Sequence, residues 1–468
     1  MVEGRAESGH FQITWILLLI FIISACGSVA TRTQFYEPVT ADLKAGNFAL
    51  AAERFEKSKD KFDRKDRFLY YFDSGLLFYY ASEYDSSNSR LTSAESAADE
   101  LFTKSVSRAA TSMVLNDNVL EYAGEDYEIL YANLLKALNY LELEKFDDAF
   151  VEIRRANLKL GLLEQKYLGA AAVMNRNPSR DGDDVKIDYR PENVRFSNDA
   201  FARYLSMRLY AAAGKLDDAM IDYYLLREAF ETQPDIYNFP LPQVSLVPDS
   251  GAILSVVGLA GLAPVKEALN LRIRTDKDLG LVQILYSDSE NDDVEYGHLA
   301  IPVKADYYFK FAIPRLESKP SPISTIRIYA DSTCLGNLFL LEDVSKVAAE
   351  TFRAKSSLIY LRSVARAVAK GLATHKLKTK VDSGGFGGWL KKAAVDVGSD
   401  ISENADLRCS RFLPGQIFVA DFSLVPGNYD LRIEFLDNQG QVVGVREASG
   451  FRVKARGLNL LQTFLTDF

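Results

Sequence analysis

The sequence predicts an α+β chain: an N-terminal array of α-helical hairpins, then a mixed, largely β domain containing one long helix. Three observations predict it. Small and aromatic residues recur at hairpin spacing through the first half. Composition shifts after Pro234, where Pro240, Pro242 and Pro248 mark a linker. Beyond the linker, apolar and polar residues alternate in short runs, the period of half-buried strands. The expected units are a leader over 1–25, a helical domain over 26–235 and a mixed α/β domain over 250–468 with sandwich-like strands. Domains average roughly 100–200 residues, and the chain has 468.

The helical half is read from its repeats. Ala45-Gly46-Asn47-Phe48 is followed by Ala51 and Phe55. This resembles the turn and second helix of a tetratricopeptide repeat. A small residue lets two helices approach, and aromatics fill the space between neighbouring hairpins. Gly75 and Phe78, then Tyr84, Leu91 and Ala94, form a second copy. The clearest copy is Ala137, Tyr140, Phe146, Ala149, Ile153 and Ala156; the last is Tyr210, Gly214, Leu216, Ala219 and Tyr223. The small positions are 51, 87 (a serine), 149 and 219, so the first interval is 36 residues, near the family period of about 34. The later intervals of 62 and 70 imply divergent hairpins or inserts. One insert is read over 175–193, where Pro178, Gly182 and Pro191 flank an acidic run.

The second half reads as strands. Gly251 to Leu262 is apolar but only about twelve residues long, so a buried strand or loop is expected rather than a membrane span. Further strands are expected at 269–273, 281–286, 307–313 and 324–329. A long helix is expected over 342–377, with Arg362, Arg366 and Lys370 along one face. Next comes a glycine-rich turn carrying Phe386 and Trp389. Tyr429, Leu431, Ile433 and Phe435 then alternate with charged residues, and Asp437-Asn438-Gln439-Gly440 turns the chain into a strand at 441–447.

The N-terminus carries the sharpest motif. Residues 13–25 are mostly apolar and end in Ile23-Ser24-Ala25-Cys26-Gly27. The run is short for a membrane span and fits a signal peptide. The junction resembles a bacterial lipobox, in which the cysteine is lipidated and becomes the first residue. The resemblance implies acyl chains on Cys26, enough for stable anchoring. Gly27 in place of an aspartate implies the outer membrane. Glu3 and Glu7 beside Arg5 depart from the usual basic leader.

Two further blocks resemble a little-characterised family of bacterial tetratricopeptide lipoproteins. One is Gly124-Glu125-Asp126-Tyr127, running on to Leu138–Leu141 and Glu152–Asn157. The other is Ala405-Asp406-Leu407-Arg408 with Leu413-Pro414-Gly415-Gln416 and Pro426-Gly427-Asn428-Tyr429. Cys409 departs from the small polar residue expected after that triplet. The resemblance implies architecture and location, and brings no catalytic residues.

Chemical motifs are sparse. Sixty-four acidic residues against 55 basic give a net charge of −9, no basis for nucleic-acid binding. His10, His298 and His375 lack the spacing of a zinc site. No nucleophile elbow or phosphate loop is present, and no cofactor is expected. Asp288, Glu290, Asp292, Asp293 and Glu295 read as a solvated hairpin loop rather than a calcium site. Cys334 and Cys409 either pair or remain separate thiols. The expected function is a non-enzymatic scaffold, lipid-anchored and facing the periplasm. It would bind envelope proteins through the repeat surface, in cell-envelope or peptidoglycan assembly. Arg362, Arg366 and Lys370 are candidate partner contacts. The alternatives are a glycan- or lipid-binding pocket in the C-terminal domain and a carboxylate-based cell-wall enzyme.

Overall fold

The structure, a computed structural model, describes residues 31, 33–112, 120–176, 195–248, 250–276, 278, 281–287, 293–300, 308–353, 355–356 and 405–465. Its first half supplies nine α-helices among these residues. They are α1 (Thr33–Lys44), α2 (Phe48–Glu56), α3 (Arg67–Tyr80), α4 (Tyr84–Ser112), α5 (Asp126–Glu142), α6 (Phe146–Gly161), α7 (Leu163–Arg176), α8 (Ala200–Ala212) and α9 (Leu216–Thr232).

Four of the turns are built alike. Gly46, Ser82, Glu144 and Gly214 all have positive φ, and each stands two residues before a second helix. In every case the N–H of this residue donates three residues back. The next N–H donates five back, as in Lys145 to the Tyr140 carbonyl and Lys215 to that of Tyr210. This is the Schellman arrangement, which satisfies the last carbonyls of the first helix. The pairs α1–α2, α3–α4, α5–α6 and α8–α9 are therefore equivalent hairpins. Ala51, Ser87, Ala149 and Ala219, the four small positions read from the sequence, are all fully buried. Ser87 donates to the Gly75 carbonyl at 2.7 Å, and a Cβ on Gly75 would collide with Leu91. Close approach explains both small residues.

Eleven strands follow among the described residues. Seven form one sheet in the order β10 (Val442–Val453), β9 (Gly427–Leu436), β6 (Thr325–Ala330), β7 (Thr333–Asp343), β8 (Gln416–Leu424), β1 (Ala252–Ala260) and β11 (Asn459–Leu465). Neighbours are antiparallel except β1 and β11. The sheet curls until its edges meet, where Arg446 on β10 donates to the Phe464 carbonyl on β11. The other sheet runs β4 (Asp293–Ala300), β3 (Leu281–Ser287), β2 (Val265–Asp276) and β5 (Tyr308–Glu317), all antiparallel. The chain is thus α+β.

The apolar run at 251–262 is the central strand β1, and its period of two feeds two cores. Leu254, Val256 and Ala260 join Ile326, Ile328, Phe418, Ile433 and Phe435 inside the curl. Val257 and Leu259, with Ile417 and Val419 of β8, pack on the helices. The helix–sheet core is continuous across the proline-rich segment, where Ile236 and Tyr237 are buried. One boundary differs from expectation. Glu342 belongs to β7, and the helix begins at 344, since the Asp343 carboxylate accepts the Ser345 N–H at 2.9 Å and caps it.

The first helices of the later hairpins are covered on both sides. Nearly every residue of α3, α5 and the first three-quarters of α8 is buried. Tyr79 donates to Gln462 on β11, Tyr80 to the Phe412 carbonyl, and Tyr204 to Asp421 on β8. Repeat arrays usually present such a face to partners. Here the chain's own sheet occupies it.

Candidate functional site

Two sequence blocks singled out for their likeness to a lipoprotein family meet in space. The segment 405–412 passes between α3 and the N-terminus of α5. Gly124, at φ +86 and against the Phe68 ring, sets the entry to α5. Glu125 is its N-cap and Glu128 completes a capping box. Carboxylates are favoured there by the helix dipole. Each of the three acids ties α5 to a different element. Glu125 accepts from Lys266 on β2 and from Lys355 at 2.8 Å. Asp126 accepts from Lys166 and Tyr167 on α7. Glu128 accepts from the Tyr122 hydroxyl at 2.7 Å and the Ser410 N–H at 2.6 Å.

The other block supplies Arg408. Arg408 pairs with Asp406 at 2.8 Å and Asp66 at 2.9 Å, and donates to the Leu120 carbonyl. Its guanidinium and the Lys266 ammonium both lie 5.1 Å from the centre of the Tyr122 ring. Ser410 donates to Asp73 at 2.5 Å. Arg408, Asp66, Glu125 and Lys266 have side chains no more than 2% exposed.

Electrostatics separate these acids. Burial raises the Glu125 carboxyl, but Lys266 and Lys355 reverse this and hold it at about 2. Burial pushes Asp73 up to about 8 despite the Ser410 bond. Glu128 is raised by burial and by the charge of Glu125. Burial pushes the Cys409 thiol up to about 11. A protonated, buried thiol is a poor nucleophile; its sulfur accepts the Lys266 N–H instead.

A second buried cluster joins α8 to the sheet. Glu342 accepts from the Tyr131 hydroxyl at 2.5 Å and the Phe201 N–H at 3.0 Å. Asp199 caps α8 by accepting the Ala202 N–H at 2.6 Å. Burial raises the carboxyls of both Asp199 and Glu342, and the charge of Asp199 raises Glu342 further. Nearby, Arg208 pairs with Asp421 at 2.9 Å, with both side chains buried.

These groups have the types that catalysis uses, and among the described residues they are buried. A hollow of about 360 Å³ opens elsewhere, lined by Arg195, Ser197, Thr232, Gln233 and Asp235. The apolar space between α5 and the sheet is about 10 Å³, less than one water needs. Among the described residues no three His, Cys, Asp or Glu side chains are grouped to hold a metal ion. Cys334 is exposed and Cys409 buried, and both are free thiols.

Cys26, Arg362, Arg366 and Lys370 lie outside the described residues, as do Phe386, Trp389, His10, His375, Asp288, Glu290 and Asp292. Asp293, Glu295 and His298 fall on β4. Sequence reasoning marked the two blocks but missed Asp66, Asp73, Lys266 and the Asp199–Glu342 pair. Asp73, Asp199 and Glu342 carried only the signal of a charge beside apolar residues, and Asp66 lies in the charged run Asp63-Arg64-Lys65-Asp66-Arg67.

The outward faces of the second helices differ in character. Leu50 on α2, Val151 and Leu158 on α6, and Leu216, Met220, Ile221 and Tyr224 on α9 are exposed apolar side chains. No family model, no curated protein and no solved structure matches this chain.

Proposed function

We propose that this chain is a lipid-anchored, non-enzymatic scaffold of the bacterial envelope, held at the outer membrane through Cys26 and facing the periplasm. In this reading it is a tetratricopeptide-type lipoprotein that brings envelope proteins together, in cell-envelope or peptidoglycan assembly. The observation that carries the reading is the placement of exposed apolar side chains. The first helices are spent on the sheet, while the second helices turn Val151, Leu158, Ile221 and Tyr224 outward. Partners would then bind the outer faces. No helix among the described residues is long and apolar enough to cross a membrane, so attachment in this reading rests on lipid. Helix α1 begins at Thr33, seven residues beyond Cys26. Fully extended, that tether reaches only about 23 Å, which keeps the first hairpin beside the bilayer.

Metabolic labelling with an alkynyl fatty acid tests the anchor. The wild-type chain is expected to take up label and sediment with membranes, and Cys26→Ala is expected to do neither. Label retained by Cys26→Ala would refute lipidation at this residue. Crosslinking in living cells with a tagged chain tests the scaffold. Reproducible capture of one or two envelope proteins is expected, and it should disappear when residues 30–235 are deleted.

A further inference from the structure

Hairpins α5–α6 and α8–α9 superimpose in sequence with an offset of 70 residues. Lys145-Phe146-Asp147-Asp148-Ala149 corresponds to Lys215-Leu216-Asp217-Asp218-Ala219. The first hairpin shows what the outer side of such a second helix receives. Helix α8 packs on α6, with the Phe150 and Tyr210 rings 4.7 Å apart. Phe150 makes that contact, and Ile153, Asn157 and Leu160 continue its stripe at helical spacing. Their counterparts on α9 are Met220, Tyr223, Arg227 and Phe230. Each counterpart is a step more exposed. Ile153 and Leu160 are buried where Tyr223 and Phe230 are half-buried, and Phe150 and Asn157 are half-buried where Met220 and Arg227 are exposed. Among the described residues no helix lies on α9 as α8 lies on α6. Phe230 is partly covered by Tyr237 and Phe239, which leaves the first three turns open.

Terminal repeats normally turn a polar face outward. On α9, Met220, Ile221 and Tyr224 are 39%, 58% and 58% exposed. The rim is acidic: Asp217, Asp218, Glu228 and Glu231 are exposed. Of the basic residues, Arg227 is engaged by Glu231 at 3.3 Å, and Lys215 lies over the Tyr210 ring. Two copies stacked through this face would oppose like-charged rims, which disfavours self-association.

We infer that the outer face of α9 takes an amphipathic helix from a partner protein, laid along Met220, Ile221 and Tyr224 rather than stacked as α8 is on α6, where the equivalent Val151 and Arg154 stay exposed. Its apolar stripe would cover Met220, Ile221 and Tyr224, and its flanks would carry lysine or arginine toward Asp217, Glu228 and Glu231. This rests on the scaffold reading and specifies the kind of partner.

The test is fluorescence anisotropy on the full mature chain. The probe is a labelled helical peptide with Leu and Tyr at i, i+3, i+4 and i+7 and lysines elsewhere. A control peptide carries glutamates in place of the lysines. The lysine peptide should bind, and the glutamate peptide about tenfold more weakly or worse. The double variant Met220→Glu, Tyr224→Ser should lose at least about tenfold in affinity for the lysine peptide. Both residues are exposed, so folding should survive, checked by circular dichroism. Unchanged affinity in a folded double variant would overturn the proposal. So would a Tyr224→Cys thiol that crosslinks within a monomer to its own chain, or a symmetric disulfide dimer. If these fail while partners are still captured in cells through α2 or α6, the scaffold reading stands and only the α9 assignment falls.

Discussion

Asp73 receives the Ser410 hydroxyl on one oxygen, and its other oxygen has no hydrogen-bond partner. With its pKa raised to about 8, it is protonated in the native state at neutral pH. An unfolded aspartate titrates near 3.9. Between these values the unfolded chain has released a proton that the native chain keeps. The contribution of Asp73 to stability is therefore greatest below about pH 4 and is lost as pH rises from there through about 8. Asp199 and Glu342 are also raised and act in the same direction. Glu125 acts oppositely: its contribution is present above the unfolded value and is lost only as pH falls toward about 2. Asp73→Asn should flatten, without abolishing, the decline in urea midpoint between pH 5 and pH 8. Parallel declines in the two proteins would contradict this assignment. Arg408→Met leaves Asp66 and Asp406 buried without their cation and should cost about 3–5 kcal/mol in urea unfolding. A loss below about 1 kcal/mol would mean that the pairs are not sealed from water. None of this pairing was readable locally, because Arg408 and Asp66 stand 342 positions apart. Nothing nearby distinguishes Arg408 from a surface arginine.

At the scale of elements, four equivalent turns make the hairpins. The small residues at 51, 87, 149 and 219 were legible because two helices cannot close around a larger side chain. The turns were less legible, since two of the four left-handed positions are not glycine. Ser82 and Glu144 sit at φ 59 and φ 56, a conformation that costs a non-glycine residue about 1–2 kcal/mol. Ser82→Gly should raise stability by about 0.5–1 kcal/mol, after allowing for glycine's greater freedom when unfolded. A thermal midpoint that falls instead would show that this turn is not equivalent to those at Gly46 and Gly214. Gly124→Ala should do the reverse. Its Cβ would strike the Phe68 ring at a positive φ, so a loss of about 2 kcal/mol or more is expected. The strand reading succeeded where alternation was strict, as on β9. It placed Glu342 at the head of the long helix. In the structure Asp343 is the cap, and Glu342 points into the α8 junction.

For the whole molecule, the division into helices and then strands was legible from composition. The way the halves join was not. Buried charges at three places pin the helical half to the second half: Arg408 with Asp66, Lys266 with Glu125, and Arg208 with Asp421. Breaking one such pair is costly, so the halves should unfold together. The sheet takes the face on which a repeat array usually binds its partners, so the proposed scaffold would dock its partners on the outer faces of the second helices. Site-specific photocrosslinking in living cells tests this most directly, with the crosslinker placed in turn at Val151, Leu158 and Ile221, and at Val425 in the β8–β9 turn as a control. The account predicts discrete adducts with the same few envelope proteins from the helix positions and none from Val425. Adducts from Val425 alone, or from no position, would contradict it.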